Sequence, residues 1–289
     1  MVDSTQSPFD DCACHRKTIY NSRRLAAPFG VRVPGRRNCA RLLREVGVSF
    51  VAELPDRMDW EGEVVGRLAR LLQVQKAQIL ELLGDPPDIN NIPESVWREH
   101  GDQLFRALEK DSFAIYIAAA EHILASQPIG VDWGLVNEHA ARWAREHARD
   151  LALDIGSTNR QNVAEALAGF FEQQQTIGDL RNRLASLFGP VRAELIASTE
   201  VTRAAVEGEL DLVRELGKEG VELTAFWVTE RDEKVCPICE PLDRQPESPE
   251  GGFVPEGESG PGIPHPPAHP RCRCWLNHIY VGQREAIGA

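Results

Sequence analysis

The stretch that most constrains this chain lies near its C-terminal end. It reads VCPIC, with Cys236 and Cys239, and then, after a long excursion rich in Pro and Gly, HPRCRC, with His269, Cys272 and Cys274. Two cysteines separated by two residues, answered by a His-x-x-Cys-x-Cys cluster, have the spacing of the two halves of a tetrahedral zinc site. Cys-Pro-x-Cys folds into a tight turn that aims two thiolates at one point, where nearby main-chain N–H groups can hydrogen-bond the sulfurs. Pro237 and Pro270 stiffen the two turns.

Five donors compete for four positions, because structural zinc is almost always four-coordinate. A strand running through residues 272 to 276 would point Cys272 and Cys274 to one face and Arg273 to the other. That arrangement favours four cysteines with His269 outside. A turn at HPRC would instead make His269 and Cys272 the ligands and leave Cys274 packed as a small apolar residue. The strand arrangement is the favoured expectation, with all five residues kept as metal candidates.

Disulfides are the competing use of these cysteines. Seven is an odd count, no signal peptide opens the sequence, and 289 residues can bury a core without staples, so bound structural zinc is expected. A catalytic zinc of the deaminase type needs His-x-Glu followed by Pro-Cys-x-x-Cys, and no His-x-Glu precedes Val235 and Cys236. There is also no His-Glu-x-x-His.

The net charge of -12 argues against a general nucleic-acid binder. Yet Arg16, Lys17, Arg23, Arg24, Arg32, Arg36, Arg37, Arg41 and Arg44 follow one another with no acid among them. Such a segment reads as an interaction arm for a polyanion, DNA or an acidic protein surface, against the alternative of a solvated leader. Cys12, Cys14 and His15 in the same arm lack a nearby fourth ligand and read as an ordinary exposed segment. The longest apolar run, Phe113 to Ala120, is far short of the roughly 18 residues a membrane span requires and reads as a buried helix.

From Asn38 onward the apolar period is helical. Leu42, Leu43 and Val46 begin a block that continues through Trp60, Val64, Leu68, Leu72, Ile79 and Leu83 until Asp85, Pro86 and Pro87 stop it, and a boundary is placed at about residue 90. A second block opens at Ile92 and Pro93 and breaks at Pro128 and Gly130. The next helix, from about Asp132 to Ile155, sets His139, Trp143 and His147 on one face, which reads as a half-buried amphipathic surface. Ser157, Thr158 and Asn159 then read as the N-cap of a further helix bearing Val163, Leu167 and Phe171.

Thr176 and Asp179 have the spacing of a capping box, Gly189 closes that helix, and Pro190 opens a long one to about Gly217. Its buried row is expected to be Leu195, Thr199, Thr202, Val206, Leu210 and Val213. Thereafter the period becomes two. ELTAFWVT and RCWLNHIYV form antiparallel strands around a loop, residues 240 to 268, that shows no apolar face, so a metal clip is expected to fix its ends. The fold class is mainly α, a multi-helix body followed by a small zinc-clipped β-hairpin at 220–281 (α+β). The domain division is 1–90, a basic arm with a helical region, and 91–289, the body with its hairpin.

Several of these segments together resemble the Mu F-like phage head morphogenesis family, the minor capsid proteins of tailed bacteriophages and prophages. They are IGSTN, TIGDLRNRLASLFG, RAELIASTEVTRAAVEG, FWVTERDEKVCPICEPLD and PPAHPRCRCWL. The likeness covers residues 93 to 280. It includes a Thr-Glu pair in the long helix, here Thr199 and Glu200, and a Trp and an Asp ahead of the Cys-Pro-x-Cys, here Trp227 and Asp232. It departs in having EPLDRQ after the first knuckle, where a Gly is usual, and in the length of the loop.

The resemblance implies a structural, non-enzymatic protein of the phage head, made in the bacterial host cytoplasm. It implies partnership with the portal protein and other head proteins in prohead assembly and in DNA packaging or ejection, with no membrane. The alternative is a phage-associated zinc-containing enzyme or toxin, nuclease-like, carried on a Mu F-like module. The sequence shows no Walker loop and no Gly-x-Ser-x-Gly to favour it. Thr199, Glu200 and Arg203, on one helical turn, read as a hydrogen-bond cluster on the helix surface or between helices.

Overall fold

The structure, a computed structural model, describes residues 54, 56–125, 132–248, 251–258, 260 and 262–283. The basic arm, Cys12, Cys14 and His15, the start of the first helical block and the break at Pro128 and Gly130 lie outside the described residues. What is described is mainly helical, with a two-stranded antiparallel sheet after the helices, as the fold class expects. No helix among the described residues is long and apolar enough to cross a membrane.

Helix α1 spans Arg57–Leu82 and buries Val64, Leu68, Leu72, Gln75 and Ile79, one row at spacings of three to four, with Leu83 continuing it at the cap. Gly84, at φ 79°, turns the chain out of the helix in the left-handed region, where glycine meets no Cβ penalty. Asn91 Nδ2 then donates to the Leu83 carbonyl at 2.9 Å, serving one of the acceptors a helix end leaves open. Helix α2, Glu94–Ala125, packs against α1 and against the two long helices further along the chain, Trp133–Glu172 and Pro190–Lys218.

Helix α3 runs without interruption over Trp133–Glu172, so the helix boundary expected at Ser157 to Asn159 is corrected. Asp132 caps it, its Oδ1 accepting from Gly134 N at 2.8 Å. Its buried row is Ala140, Ala144, Ala148, Ala152, Ile155, Asn159, Val163 and Ala166, which stays in phase across the supposed break. Asn159 caps nothing. It is buried and its Nδ2 donates to Gln75 Oε1 on α1 at 2.7 Å.

The short helix α4, Ile177–Leu187, begins at the expected capping box, in which Thr176 and Asp179 each accept from the other's main-chain N–H. Helix α5, Pro190–Lys218, starts with Pro190 in its first turn, as expected. Its buried face differs from the expected row. Ala193, Ile196, Ala197, Val201, Ala204, Ala205, Gly208, Leu212 and Leu216 face the core along with Thr199, Thr202 and Val206, whereas Leu195 is exposed. The small residues let α2 and α5 approach closely, and Gly208 lies directly against the main chain of Tyr116. One hydrophobic core takes residues from α1 through α5 and runs across residue 90.

Strands β1, Val221–Val228, and β2, Trp275–Gln283, pair from Val228 opposite Trp275 to Val221 opposite Gln283, with an irregularity between Glu222 and Leu223. The segment between them is not the apolar-free loop that its Pro and Gly content suggests. Leu242, Phe253 and Val254 are buried, and Phe253 meets Trp227 edge-on at 5.4 Å between ring centroids. Residues 244 to 247 run along β1, with Glu247 N donating to Ala225 O at 2.9 Å and Trp227 N to Gln245 O at 3.0 Å. Phe253 and Ile263 exchange two main-chain hydrogen bonds, and only glycine fits at 262, where a Cβ would stand 2.5 Å from the Phe253 carbonyl oxygen.

Candidate metal centre

The first knuckle follows β1. Lys234 N donates to Asp232 Oδ1 at 3.0 Å, and Cys239 N and Glu240 N both donate to Cys236 O, at 3.1 and 3.0 Å. This turn sets Cys236 and Cys239 side by side. The second knuckle is a turn and not a strand: Cys272 N donates to His269 O at 3.1 Å, Arg271 sits at φ 61°, and β2 begins only at Trp275. The strand expected over 272 to 276 is therefore corrected. The physical reason is that the main-chain groups just ahead of β2 are engaged by helix α5. Thr199 Oγ1 accepts from Arg271 N at 2.9 Å, and Thr202 Oγ1 donates to Cys272 O at 2.8 Å.

All five expected donors come together. Cys236, Cys239 and His269 form one triad and Cys239, Cys272 and Cys274 another, each with its ligand atoms within 4.8 Å of one another, so Cys239 is shared. His269 Nε2 lies 3.0 Å from Cys236 Sγ and 3.2 Å from Cys239 Sγ, and Cys239 Sγ lies 3.8 Å from Cys272 Sγ. In a tetrahedral site with metal–sulfur bonds of about 2.3 Å, two sulfurs stand about 3.8 Å apart. Cys239, Cys272 and Cys274 are buried, while Cys236 and His269 are half-buried. Borderline-soft thiolate and imidazole donors brought this close together are compatible with a metal ion, the Cys239–Cys272 separation already being that of a tetrahedral edge.

The thiols polarise one another. Cys272 is held far below the ordinary thiol range, first by hydrogen bonds from Cys239 and Cys274 and then by the main-chain N–H groups of Cys274 and Ala268. Cys239 is pushed up, chiefly through its bond to Cys272. Cys274 is pushed up to about 12, the bond with Cys239 acting downward but outweighed by the bond with Cys272 and by burial.

Around this cluster stands a set of contacts that sequence reading did not find. Arg57, the first residue of α1, donates from Nη1 to Arg273 O and from Nη2 to Thr202 Oγ1, both at 2.8 Å, and pairs with Glu61 at 3.0 Å. Nothing local in the sequence distinguishes Arg57 from any other basic residue near a helix start. Arg273 reaches across to Asp232 and so joins the knuckles, at 2.7 and 2.8 Å, and this bond, before any other cause, holds the Asp232 carboxyl below its ordinary range. Thr199 and Glu200 face opposite partners. Thr199 serves the second knuckle, and Glu200 Oε2 meets His147 Nε2 of α3 at 2.5 Å, with Arg203 3.6 Å away. Glu200 and Arg203 thus form the inter-helix part of the expected cluster, and Thr199 stands outside it.

His139 and His147 do not share a site. His139 Nδ1 lies 2.9 Å from Asp211 Oδ2, which also accepts from the Tyr116 hydroxyl at 2.7 Å, and 3.9 Å from Glu215 Oε1. These three ligand-type residues are grouped as well, but Lys218 already occupies Glu215 and Arg214 stands 3.7 Å from Asp211.

The site is thus a hairpin with a Cys/His cluster compatible with a metal ion, docked on the long helix of a helical body. Compared with known protein families, with curated proteins and with solved structures, the chain finds no match in any of the three.

Proposed function

We propose that this chain is a minor head protein of a tailed bacteriophage or prophage, incorporated in the prohead beside the portal, and that its hairpin is clipped by one structural zinc ion. The observation that carries the reading is the bond from Arg271 N to Thr199 Oγ1. It joins the Thr-Glu pair of the long helix to the His-Pro-x-Cys turn, two of the segments on which the resemblance to Mu F-like proteins rests. A thiolate-rich set anchored to a helix by main-chain bonds serves to hold shape, and zinc suits such a set in tetrahedral geometry. When bound, zinc would supply cross-linking of the two knuckles. The chain's own residues then do the rest: Thr199, Thr202 and Arg57 fix the second knuckle on α5 and α1.

Co-expression with the portal protein of the same genome, followed by size-exclusion chromatography, tests the partnership. Co-elution at micromolar concentration and low salt is expected. Separate elution, with co-purification of tail or host components, overturns it. Nuclease assays with and without chelator on the same preparation separate this reading from a zinc-containing enzyme.

A further inference from the structure

Resting on the zinc reading above, we infer the ligand set: the ion is held by Cys236, Cys239, Cys272 and His269, and Cys274 stands beside the site without binding it. Five donors are present and a closed zinc site takes four, so one must be excluded. Three observations choose between His269 and Cys274.

The first is the imidazole's orientation. Nδ1 of His269 lies 2.8 Å from the Pro270 carbonyl oxygen, an acceptor, so Nδ1 carries the hydrogen and Nε2 presents its lone pair. That lone pair is aimed between Cys236 Sγ and Cys239 Sγ. A ring held by a carbonyl on one nitrogen and free to bind through the other is the usual arrangement of a histidine ligand. Around zinc, with a Zn–N bond of about 2.0 Å, the nitrogen–sulfur edges would lengthen to about 3.5 Å. Uptake of the ion thus moves the ring outward by a few tenths of an ångström.

The second is the position of Cys272. Its Sγ lies 3.8 Å from Cys239 Sγ, the length of a tetrahedral edge, and its N–H donates to His269 O at 3.1 Å, so one turn presents Cys272 and His269 together. The third is what Cys274 faces. It lines a small cavity of about 10 Å³ with Arg57, Thr202, Glu209 and Trp275 under α5, and it belongs to the same apolar cluster as Trp227. It therefore belongs to the packing between hairpin and helix as well as to the cluster's edge.

Cobalt substitution of the full chain tests this. Cobalt(II) accepts the same tetrahedral donors, and its thiolate charge-transfer absorption scales with the number of bound sulfurs. Cys274→Ser is expected to take up one cobalt with the wild-type band positions and intensity. His269→Cys is expected to raise the charge-transfer intensity by about one third, from three sulfurs to four. If Cys274→Ser loses about a quarter of the intensity while His269→Ala keeps the wild-type spectrum, the ligand set is wrong and the four-cysteine site is right. Helical circular dichroism recorded on each variant establishes that the comparison is between folded proteins. Failure of the wild-type chain to take up either zinc or cobalt overturns the zinc reading itself and is a separate result.

Discussion

Arg273 and Asp232 pair directly beside the Cys/His cluster, one set between two cysteines of the second knuckle and the other four residues ahead of the first, with Nη2 2.7 and 2.8 Å from the two carboxylate oxygens. The pair ties the knuckles together outside the sulfur cluster. Loss of a partner that orients metal ligands costs about 10- to 100-fold in metal affinity, and this pair is partly exposed, so Arg273→Ala is expected at the lower end of that range. Competition with a chelator of known affinity measures it, and an unchanged affinity would remove the pair from the account of the site.

Removing the metal should loosen the hairpin and spare the helices. The body has its own core in α1 to α5, while the cluster of Trp227, Phe253, Leu242 and Leu276 is continuous with Cys239, Cys272 and Cys274. Cys236→Ser, or chelation of the wild type, is expected to raise amide exchange in β1, β2 and residues 240 to 268 by more than about 100-fold, since structural zinc contributes on the order of 10 kcal/mol in small sites. Exchange in α2 and α3 should stay unchanged. Uniform protection of the hairpin with and without metal would falsify the clip.

Asp211 supplies a pH-dependent prediction. Burial acts to raise its carboxyl, but hydrogen bonds from Tyr116 and His139, with the charges of His139 and Arg214, outweigh burial and leave it below its ordinary value of 3.8. A depressed carboxyl contributes stability that is present above its unfolded pKa and lost as the pH falls through the lower, folded one. Asp211→Asn should therefore destabilise the helical body at pH 7 by about 1 to 2 kcal/mol, the scale of a hydrogen bond to a charged group. The difference should shrink to near zero in strong acid. Urea unfolding followed by circular dichroism at pH 7 and at successively lower pH gives the curve, and a difference independent of pH would contradict it.

Gly208 has a steric role on α5. A Cβ there would collide with the carbonyl of Tyr116 and come within 3.0 Å of its carbonyl carbon, all rigid main chain. Gly208→Ala is expected to destabilise by about 1 to 3 kcal/mol despite the better helix propensity of alanine. The urea midpoint should fall with no change in slope, whereas a midpoint equal to or above wild type would show that α2 and α5 can part without cost.

Where the sequence carried a local chemical signal, the structure could be read from it. Thr176 with Asp179, Gly189 with Pro190, the two-residue alternation of ELTAFWVT and the spacing of the five Cys and His donors all say what they do within a few residues. The misreadings came where the decisive partner was distant. Ser157, Thr158 and Asn159 have cap chemistry, yet Gln75 on α1 takes up Asn159, and the row begun by Ala140 continues through it. Alanine is a weak hydrophobic marker, so the row that passes closest to its neighbours was the least visible. The loop looked empty because Phe253 and Val254 stand as one isolated pair among Pro and Gly, with no period to announce them. HPRC became a turn because Thr199 and Thr202, about 70 positions earlier, already held its main chain.

Arg57 and the carbonyl of Arg273 are 216 positions apart. A ribosome adding about 5 to 20 residues each second needs roughly 10 to 40 s to cover that distance, so α1 exists for that long before the group it will bind has been made. The other distant partner of Arg57, Thr202 on α5, is only 145 positions away and is made first, so α1 can meet α5 before the hairpin is complete. The finished hairpin adds the Arg273 carbonyl to that contact, so that one guanidinium and one hydroxyl hold the first turn of α1 and the segment just ahead of β2 to the middle of α5.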